Sequence, residues 1–280
     1  MLILTNPLHS LRKTRLFQRL LKTRLNKPKL YDLGFKHSVA LRPLTHASII
    51  WRNKDLESNI RRLVKSVVYQ LDKSRDRGCF IDVGANVGMY SWEVFKNSPQ
   101  RKILAFEPDP LNFELLEKTL KEYDFGNIEI YPFALSNKSQ KVSFFQDTIT
   151  SATGNICGSD KTWIENYLGI NASKIPMEAK RLDSFKGEEL VPSLMKVDVE
   201  GHELKVLEGA KAIIAQTKPI MIIESFPPKQ KNVLNLLNQY GYKVYDADLS
   251  SAINKNTLNL FAWHPRGPLD EKFIQRVIGR

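Results

Sequence analysis

The chain has 280 residues, of which 42% are hydrophobic, and a formal net charge of +12. This length and composition suffice for a large domain with a buried core, and they exclude a disordered or fibrous protein. Its two cysteines show no paired motif. We therefore expect neither a disulfide framework nor a structural zinc site, and a reducing, cytoplasmic location. Because no apolar run is long enough, we also expect neither a secretory signal nor a bilayer-spanning segment.

The positive charge is concentrated at the N-terminal end. Residues 1–30 hold eight Lys or Arg and no Asp or Glu, and apolar residues recur with helical spacing within residues 8–29. This pattern predicts a basic amphipathic helix in a segment that spans residues 1–34. Three interpretations stay open: a helix packed on the domain with its basic side in water, a peripheral contact with an anionic membrane or lipid-linked substrate, and an organelle transit peptide.

The next segment, residues 35–77, is predicted to extend the main domain. Residues 35–50 favour a short extended section, and residues 55–74 carry an apolar stripe typical of a helix, with Asp55 as the expected cap. The main domain is predicted over residues 78–265, and residues 266–280 are expected to form a C-terminal tail.

From Cys79 onwards, short apolar runs alternate with helical patterns. Strands are predicted at residues 80–83, 103–106, 128–133, 194–197, 219–223, 242–245 and 258–263. Asp109 and Pro110 are typical of a helix start after the second strand. The alternation predicts an α/β fold with a doubly wound, mostly parallel, seven-stranded Rossmann-like sheet. Because no helix separates the last two runs, we expect the last strand to be antiparallel and this pair of strands to form an antiparallel edge of the sheet.

One stretch, residues 136–192, is too long for an ordinary connection. It contains a hairpin pattern around Val142–Phe145 and a run of small and polar residues at 151–155. Long excursions inside compact domains tend to be binding loops or lids. Since this stretch precedes the fourth strand, we expect it to lie near the ligand site.

The first strand ends in a glycine-rich turn. Asp82, Gly84, Asn86 and Gly88 occupy this turn, and a helical pattern follows directly. Glycines let the backbone approach a ligand, and the helix start offers unpaired N–H groups to it. A dinucleotide-binding turn would have a glycine at the place of Asn86. The looser pattern favours S-adenosylmethionine, which carries an amine and a ribose, over NAD.

Acidic and small residues follow the strands at the edge where α/β sheets bind ligands. Glu107, at the end of the second strand, is predicted to accept hydrogen bonds from both ribose hydroxyls. Asp82 is predicted to orient the amine of the cofactor, with capping of the adjacent turn as the alternative. Ala134 and Leu135 are predicted to lie beside adenine, with ordinary core packing as the alternative.

A second dense group follows the fourth strand. Asp198, Glu200, His202 and Glu203 lie within six residues. Asp198 is a catalytic candidate at the strand end, Glu200 and His202 could accept the proton of a substrate hydroxyl, and Glu203 fits a helix-dipole partner. Alternatively, Asp198, Glu200 and Glu224 could hold a divalent cation such as Mg²⁺. The choice between a base and a metal stays open.

These motifs, in this order and spacing, resemble those of the FkbM-type methyltransferases. The matching segments are residues 81–88, 106–109, 134–137, 181–185, 196–203 and 207–210. The resemblance covers roughly residues 78–225, and it implies a class I S-adenosylmethionine-dependent fold. It also implies O-methylation of a hydroxyl on a sugar, glycan, glycolipid or natural product, and cofactor contacts by Asp82, Gly84, Gly88 and Glu107. It says little about the first 50 residues or about the acceptor.

The sequence leaves two other functions open. The basic N-terminal segment would suit an RNA methyltransferase, but sparse interleaving of aromatic and basic residues argues against nucleic acid as a partner. The motif of the amino methyltransferases is also missing after the fourth strand. A non-catalytic adaptor that binds the cofactor is the other alternative, and the acidic group at 198–203 argues against it.

Overall fold

The computed structural model describes residues 11–52, 55–123, 125–156, 172–185, 190–248 and 253–278. The strands are β1 (Lys29–Asp32), β2 (Ser38–Leu41), β3 (Cys79–Val83), β4 (Ile103–Phe106), β5 (Ile128–Tyr131), β6 (Ala134–Leu135), β7 (Gln140–Gln146), β8 (Ser173–Lys180), β9 (Pro192–Val197), β10 (Ile220–Glu224), β11 (Lys243–Asp246) and β12 (Asn259–Trp263). The helices are α1 (Arg15–Leu21), α2 (Ala47–Arg52), α3 (Ser58–Lys73), α4 (Met89–Asn97), α5 (Pro110–Glu122), α6 (Glu203–Gly209), α7 (Lys211–Thr217), α8 (Gln230–Gln239) and α9 (Glu271–Ile278). Short 3₁₀ turns lie at Arg24–Asn26 and Leu182–Ser184.

The central sheet has seven strands in the order β11-β12-β10-β9-β3-β4-β5. Its strands run parallel except β12, which is antiparallel to both of its neighbours. The predicted α/β class and the antiparallel last strand are confirmed. The expected antiparallel edge is confirmed as well, because β11 and β12 pair antiparallel at one end of the sheet, with β11 as the edge strand and β12 between β11 and β10. A short connection can join antiparallel strands, so β12 returns beside β11 without a crossover helix.

Alternate residues of the central strands enter two apolar clusters on opposite faces of the sheet, as strand geometry requires. Phe80 and Leu194 belong to the cluster beneath helices α3, α4 and α5, while Ile81 and Met195 belong to the cluster beneath α6, α7 and α8. The predicted helix start at Asp109 is confirmed, since its carboxylate accepts a hydrogen bond from the N–H of residue 111. Both faces are covered, so the carboxyl ends of the strands are left for ligand binding.

The segment at 35–77 shares its core with the main domain. Strands β1 and β2 form a hairpin, and α3 buries six apolar side chains in the first cluster. Two expectations fail here: residues 47–52 are helical, and Asp55 does not cap α3. Glu57 precedes α3 instead, with a φ of 49° and no side-chain cap. Residues 266–280 also differ from the expected tail, because Phe273, Ile274 and Val277 of α9 are buried in the first cluster.

The basic segment packs on the domain through α1. Phe17 is buried against Phe145 and Ile149. Leu16, by contrast, is 68% exposed, and Leu11 and Leu25 are also exposed. The predicted apolar face is therefore only partly buried, and residues 8–10 of that prediction lie outside the described residues.

Strands β7 and β8, in the described part of residues 136–192, form a small second sheet with β6. Strand β8 pairs with β7 antiparallel and with β6 parallel. The predicted hairpin strand at Val142–Phe145 is part of β7. Residues 157–171 and 186–189 of the excursion lie outside the described residues.

Candidate functional site

A cleft opens at the carboxyl ends of β3, β4 and β9, and we call it the strand-end cleft. Its lining comes from the glycine-rich turn after β3, from residues 106–109, from β6, from the loop at 151–156 and from residues 198–200. The loop at 151–156 thus lies over the ligand edge of the sheet. The long excursion lies near the pocket, as its place in the chain predicted.

Gly84 lies where two turns of the cleft touch. Its φ is +78°, and a Cβ atom at this position would lie 1.8 Å from the carbonyl oxygen of Asp198. The N–H of Asp198 in turn donates to the carbonyl of Val83 at 2.9 Å. Only glycine fits, because both the backbone conformation and the close approach exclude a side chain.

Asp82 and Gly88 lie beneath this turn. The Asp82 carboxylate accepts hydrogen bonds from the Ser91 N–H at 3.1 Å and from the Ser91 hydroxyl at 2.6 Å. Burial raises the pKa of Asp82 to about 6. Gly88 precedes α4 with a φ of +85°, and a Cβ atom there would lie 2.6 Å from the Trp92 ring. Neither residue lines the cleft, so their predicted contact with a cofactor gains no support from the structure.

Glu107 lies at the end of β4 with its carboxylate turned towards the glycine-rich turn. One oxygen accepts the N–H of Asn86 at 2.6 Å, and the other accepts the N–H of Asp109 at 2.7 Å. Burial, reinforced by the charge of Asp109, raises the pKa of Glu107 to about 8. The two N–H donors hold the carboxylate in one orientation within the cleft.

Asn86 ties the turn to the loop over the cleft. Its side-chain amide donates to the carbonyl oxygen of Ser151 at 2.9 Å, and the Asn112 amide donates to the same oxygen at 2.8 Å. Ala134 and Leu135 line the cleft beside them. Both are buried members of the short strand β6 and offer an apolar wall.

Only two of the three catalytic candidates lie in the cleft. Asp198 and Glu200 line the cleft. Burial and the neighbouring charges of Asp198 and Glu203 raise the pKa of Glu200 to about 8. His202 does not line the cleft, and its Nε2 atom lies 2.9 Å from the Ser136 hydroxyl. Burial, with a smaller effect of Lys205, lowers the pKa of His202 to about 4.

Sequence reasoning placed Glu224 with Asp198 but missed the role of Lys196 beside it. The Nζ atom of Lys196, which is only 1% exposed, lies 3.0 Å from the Asp198 carboxylate. Burial alone would lower the pKa of Lys196, but the charges of Asp198 and Glu224 outweigh it and raise that pKa. The charge of Asp198, together with burial, raises the pKa of Glu224. A lysine inside an apolar strand, two residues before an acid, was the available signal, since such residues share a face.

Two further residues join this group from distant parts of the chain. The Tyr90 hydroxyl, on α4, donates to the Glu57 carboxylate, and the Lys196 Nζ atom lies 5.0 Å from the centre of the Tyr90 ring. No local pattern in the sequence pairs residue 57 with residue 90, so this contact could not have been predicted.

The structure gives no support to the cation alternative. Within the parts of the chain that it describes, no three or more His, Cys, Asp or Glu side chains are arranged to hold a metal ion. Lys196 instead supplies the positive charge beside Asp198. No helix among the described residues is long and apolar enough to cross a membrane.

Comparisons with known proteins agree on one family. The chain is 27% identical to the hexuronic acid methyltransferase AglP of Haloferax volcanii over 215 residues, which cover 74% of this chain and 76% of that protein. It is 26% identical to Methyltransferase 1 of Beauveria bassiana over 155 residues, which cover 50% of this chain but only 61% of that protein. The Methyltransferase FkbM of Methylobacillus flagellatus KT aligns with 67% of this chain and 44% of its own, at 17% identity and a TM-score of 0.47.

The family model described as the methyltransferase FkbM domain matches residues 82–244. That range holds every residue of the strand-end cleft named above, and it is more than half of the chain. The resemblance inferred from the motifs is confirmed: the chain belongs to the FkbM methyltransferase family.

Proposed function

We propose that the protein is an S-adenosylmethionine-dependent O-methyltransferase that acts on a sugar hydroxyl. One observation carries the proposal: Glu107 and the pair Asp198 and Glu200 line the same cleft. The first is suited to hold a nucleoside, and the pair is suited to take a proton from a neighbouring hydroxyl. Membership of the family indicates methyl transfer, and the cleft offers side chains suited to bind the donor and to accept the proton.

The cleft fits S-adenosylmethionine by the chemistry of its lining. A carboxylate offers about four acceptor positions. Two of those of Glu107 are used by backbone N–H groups, which leaves room for the two hydroxyls of a ribose. Gly84 keeps side-chain atoms out of the turn, and Ala134 and Leu135 offer an apolar wall for a base. Asp82 acts beneath the turn, where it holds the start of α4 through Ser91.

S-adenosylmethionine supplies an electrophilic methyl group on a sulfonium. The protein must align the acceptor oxygen with that group and remove the hydroxyl proton as the carbon–oxygen bond forms. Glu200 is the proposed proton acceptor, because a carboxyl group with a pKa of about 8 is a stronger base than an ordinary one. Asp198, held by Lys196, keeps that pKa raised and positions the hydroxyl.

A sugar acceptor is supported by the relative from Haloferax volcanii, which is named as a hexuronic acid methyltransferase. The cleft itself agrees with a hydroxyl-rich acceptor, since four carboxyl groups and the amide of Asn86 line it. Hydrogen bonds to several hydroxyls fix the one that reacts. A cytoplasmic location stays a prediction from the cysteine content.

The test is transfer of a labelled methyl group from S-adenosylmethionine by the full chain. The acceptors are a glycoside of a hexuronic acid, a glycoside of a neutral hexose, and total RNA. We expect label in a glycoside, at a position that mass spectrometry identifies as an O-methyl ether. Label in RNA alone, removed by nuclease, would refute the sugar acceptor.

A matched pair of variants separates chemistry from folding. Glu200→Gln is expected to lose transfer, while Glu117→Gln, an exposed residue on α5, is expected to retain it. S-adenosylhomocysteine binding, measured by calorimetry, should persist in both. Cofactor binding without transfer to any acceptor by the wild-type chain would favour the adaptor instead.

A further inference from the structure

A second cleft lies beside the first, between α1 and the loop that covers the strand ends. We call it the basic cleft. Four cationic side chains line it: Arg15, Arg19, Lys22 and Arg42. No carboxylate is among the described residues of its lining. Ser151 lines both clefts, so the loop at residue 151 forms the wall between them.

The basic cleft is built on a fixed frame. Phe17 anchors α1 against Phe145 and Ile149. Asn26, just after α1, is buried, and its amide donates to the carbonyl of Leu21 at 3.1 Å and to the Thr45 hydroxyl at 3.0 Å. Its amide oxygen accepts the N–H of Thr45 at 3.2 Å. A helix held in this way fixes the backbone from which the cations extend before any ligand arrives.

Three of the four cations in the described lining of the cleft have no carboxylate partner. Arg15, Arg19 and Lys22 have no such partner among the residues that the structure describes. Arg42 pairs with Glu114 at 2.5 Å. The cleft therefore carries an excess of positive charge that the described residues do not neutralise.

The spacing of these cations defines the ligand. Residues 15, 19 and 22 share one face of a helix and span seven residues, or about 10 Å at 1.5 Å per residue. Arginine pairs bidentately with phosphate oxygens, and this match is the reason that arginine predominates at phosphate sites. Three unpaired cations suit a ligand with two or more negative charges better than they suit a single carboxylate.

We propose that the basic cleft binds a phosphate or diphosphate group of the methyl acceptor. The inference rests on the proposed function only in taking the ligand to be the methyl acceptor, since anion binding at the cleft does not require methyl transfer. An acceptor held there would reach past Ser151, with its hydroxyl-bearing part at Asp198 and Glu200. The proposal therefore predicts that an acceptor with a phosphate group binds more tightly than the same acceptor without one.

The direct test uses inorganic pyrophosphate as the probe and the full chain as the protein. Calorimetry should show binding by the wild-type chain, and binding at least tenfold weaker by the double variant R15A/R19A. The matched control is K13A/R24A, which removes the same charge from exposed residues of the same segment that do not line the cleft. The control should change the affinity less than twofold.

A second experiment distinguishes whether the phosphate group is carried by a lipid or by a soluble sugar. Leu11 and Leu16 are exposed near the cations of the cleft, so the phosphate could sit on a lipid. Vesicles of phosphatidylcholine with one fifth phosphatidic acid are compared with phosphatidylcholine alone. A lipid-borne phosphate predicts binding that both R15A/R19A and L11S/L16S weaken. A soluble sugar phosphate predicts pyrophosphate binding that L11S/L16S leaves unchanged.

Equal loss of pyrophosphate binding in both charge variants would overturn the proposal, because net charge rather than the cleft would then attract the anion. No binding of pyrophosphate by the wild-type chain would overturn it as well. S-adenosylhomocysteine binding is measured in the same samples. If pyrophosphate binds at the cleft but no acceptor is methylated, the proposed function fails and the anion site stands.

Discussion

The strand-end cleft has two acidic corners, one at Glu107 and one at Asp198 and Glu200. They differ in how their carboxyl groups are held. Glu107 and Glu200 have the same raised pKa, about 8. Glu107 is fixed by two backbone N–H donors at 2.6 and 2.7 Å. No hydrogen bond to the Glu200 carboxyl group is found among the described residues. Its pKa is raised by burial and by the charges of Asp198 and Glu203.

This difference separates holding from proton transfer. A carboxylate held by fixed donors keeps one orientation, which suits recognition of a ribose. Burial and a neighbouring carboxylate raise both pKa values, so the two residues differ in their hydrogen bonds and not in the cause of the shift. A carboxyl group without fixed donors among the described residues can turn towards a substrate hydroxyl, which suits the proposed general base.

The largest effect, on the stability of the fold, is expected at the backbone contact between Gly84 and Asp198, which joins the two corners. Gly84→Ala would place a Cβ atom 1.8 Å from the Asp198 carbonyl oxygen. We expect the free energy of unfolding to fall by roughly 3 kcal/mol or more, from overpacking and a strained φ together. Urea denaturation measures this loss. Gly34→Ala is the control, since Gly34 has a similar φ of +76° but nothing within 4 Å of the added atom. An equal loss in both variants would show that strain alone matters.

The holding corner is tested by Glu107→Ala. The variant loses the acceptor of two backbone N–H groups and the proposed partner of the ribose. We expect the affinity for S-adenosylhomocysteine to fall about 100-fold or more, since hydrogen bonds to a charged group contribute about 1.5–3 kcal/mol each. Calorimetry measures it, with Glu117→Ala as the control. Near-normal affinity in Glu107→Ala would reject the cofactor assignment.

The proton-transfer corner is tested by Glu200→Gln. We expect turnover to fall about 100-fold or more, with cofactor affinity little changed.

The same variant should be more stable than the wild-type chain at high pH. The pKa of Glu200 is raised from 4.5 to about 8, so its stabilising contribution is fully present below pH 4.5 and is lost as the pH rises through 8. That loss is at most roughly 1.4 kcal/mol per pH unit. Denaturation at pH 5 and pH 8.5 should show a stability advantage of the variant only at pH 8.5.

Asp198→Asn sharpens the role of the neighbouring charge. Because Asp198 helps to raise the pKa of Glu200, its loss should move the acidic limb of the pH–turnover profile to lower pH. Turnover should fall by more than cofactor affinity does. The profile is measured at saturating cofactor, with the exposed Asp55→Asn as the control. Wild-type turnover and an unmoved limb would count against any catalytic part for Asp198.

The smallest effect is expected from His202→Gln. The pKa of His202 is lowered to about 4, and its ring lies against the Ser136 hydroxyl outside the cleft. We expect turnover at pH 7 to change less than about fivefold, since general acid–base residues contribute about 100-fold or more. A loss of that larger size would restore His202 as the base.

The sheet and the acidic strand ends could be predicted because they depend on local patterns. Alternating strands and helices define a parallel sheet, and its ligand edge follows from that topology. Asp109 and Pro110 carry the signal of a helix start in two residues. Glu107 and Glu200 were found in this way, from their places just after apolar runs.

The rest depends on which distant segments meet. The insertion of β12 beside β10 is set by tertiary pairing, which the last two apolar runs do not encode. Nothing near residue 112 in the sequence indicates that Asn112 donates to the carbonyl of Ser151. The direction of His202 follows from where α6 begins, and helix boundaries are uncertain by a residue or two. The basic cleft required the docking of α1 through Phe17, which periodicity alone did not reveal.

The close approach at Gly84 has a consequence for how methyl transfer would be timed. Under the proposed function, the turn that would hold the methyl donor and the turn that would hold the proton acceptor touch through backbone atoms, so their separation is part of the folded sheet. That separation would then not have to be restored by a loop closure on each catalytic cycle. Alignment of the reacting atoms is then paid for once, during folding, and substrates need only enter a geometry that already exists.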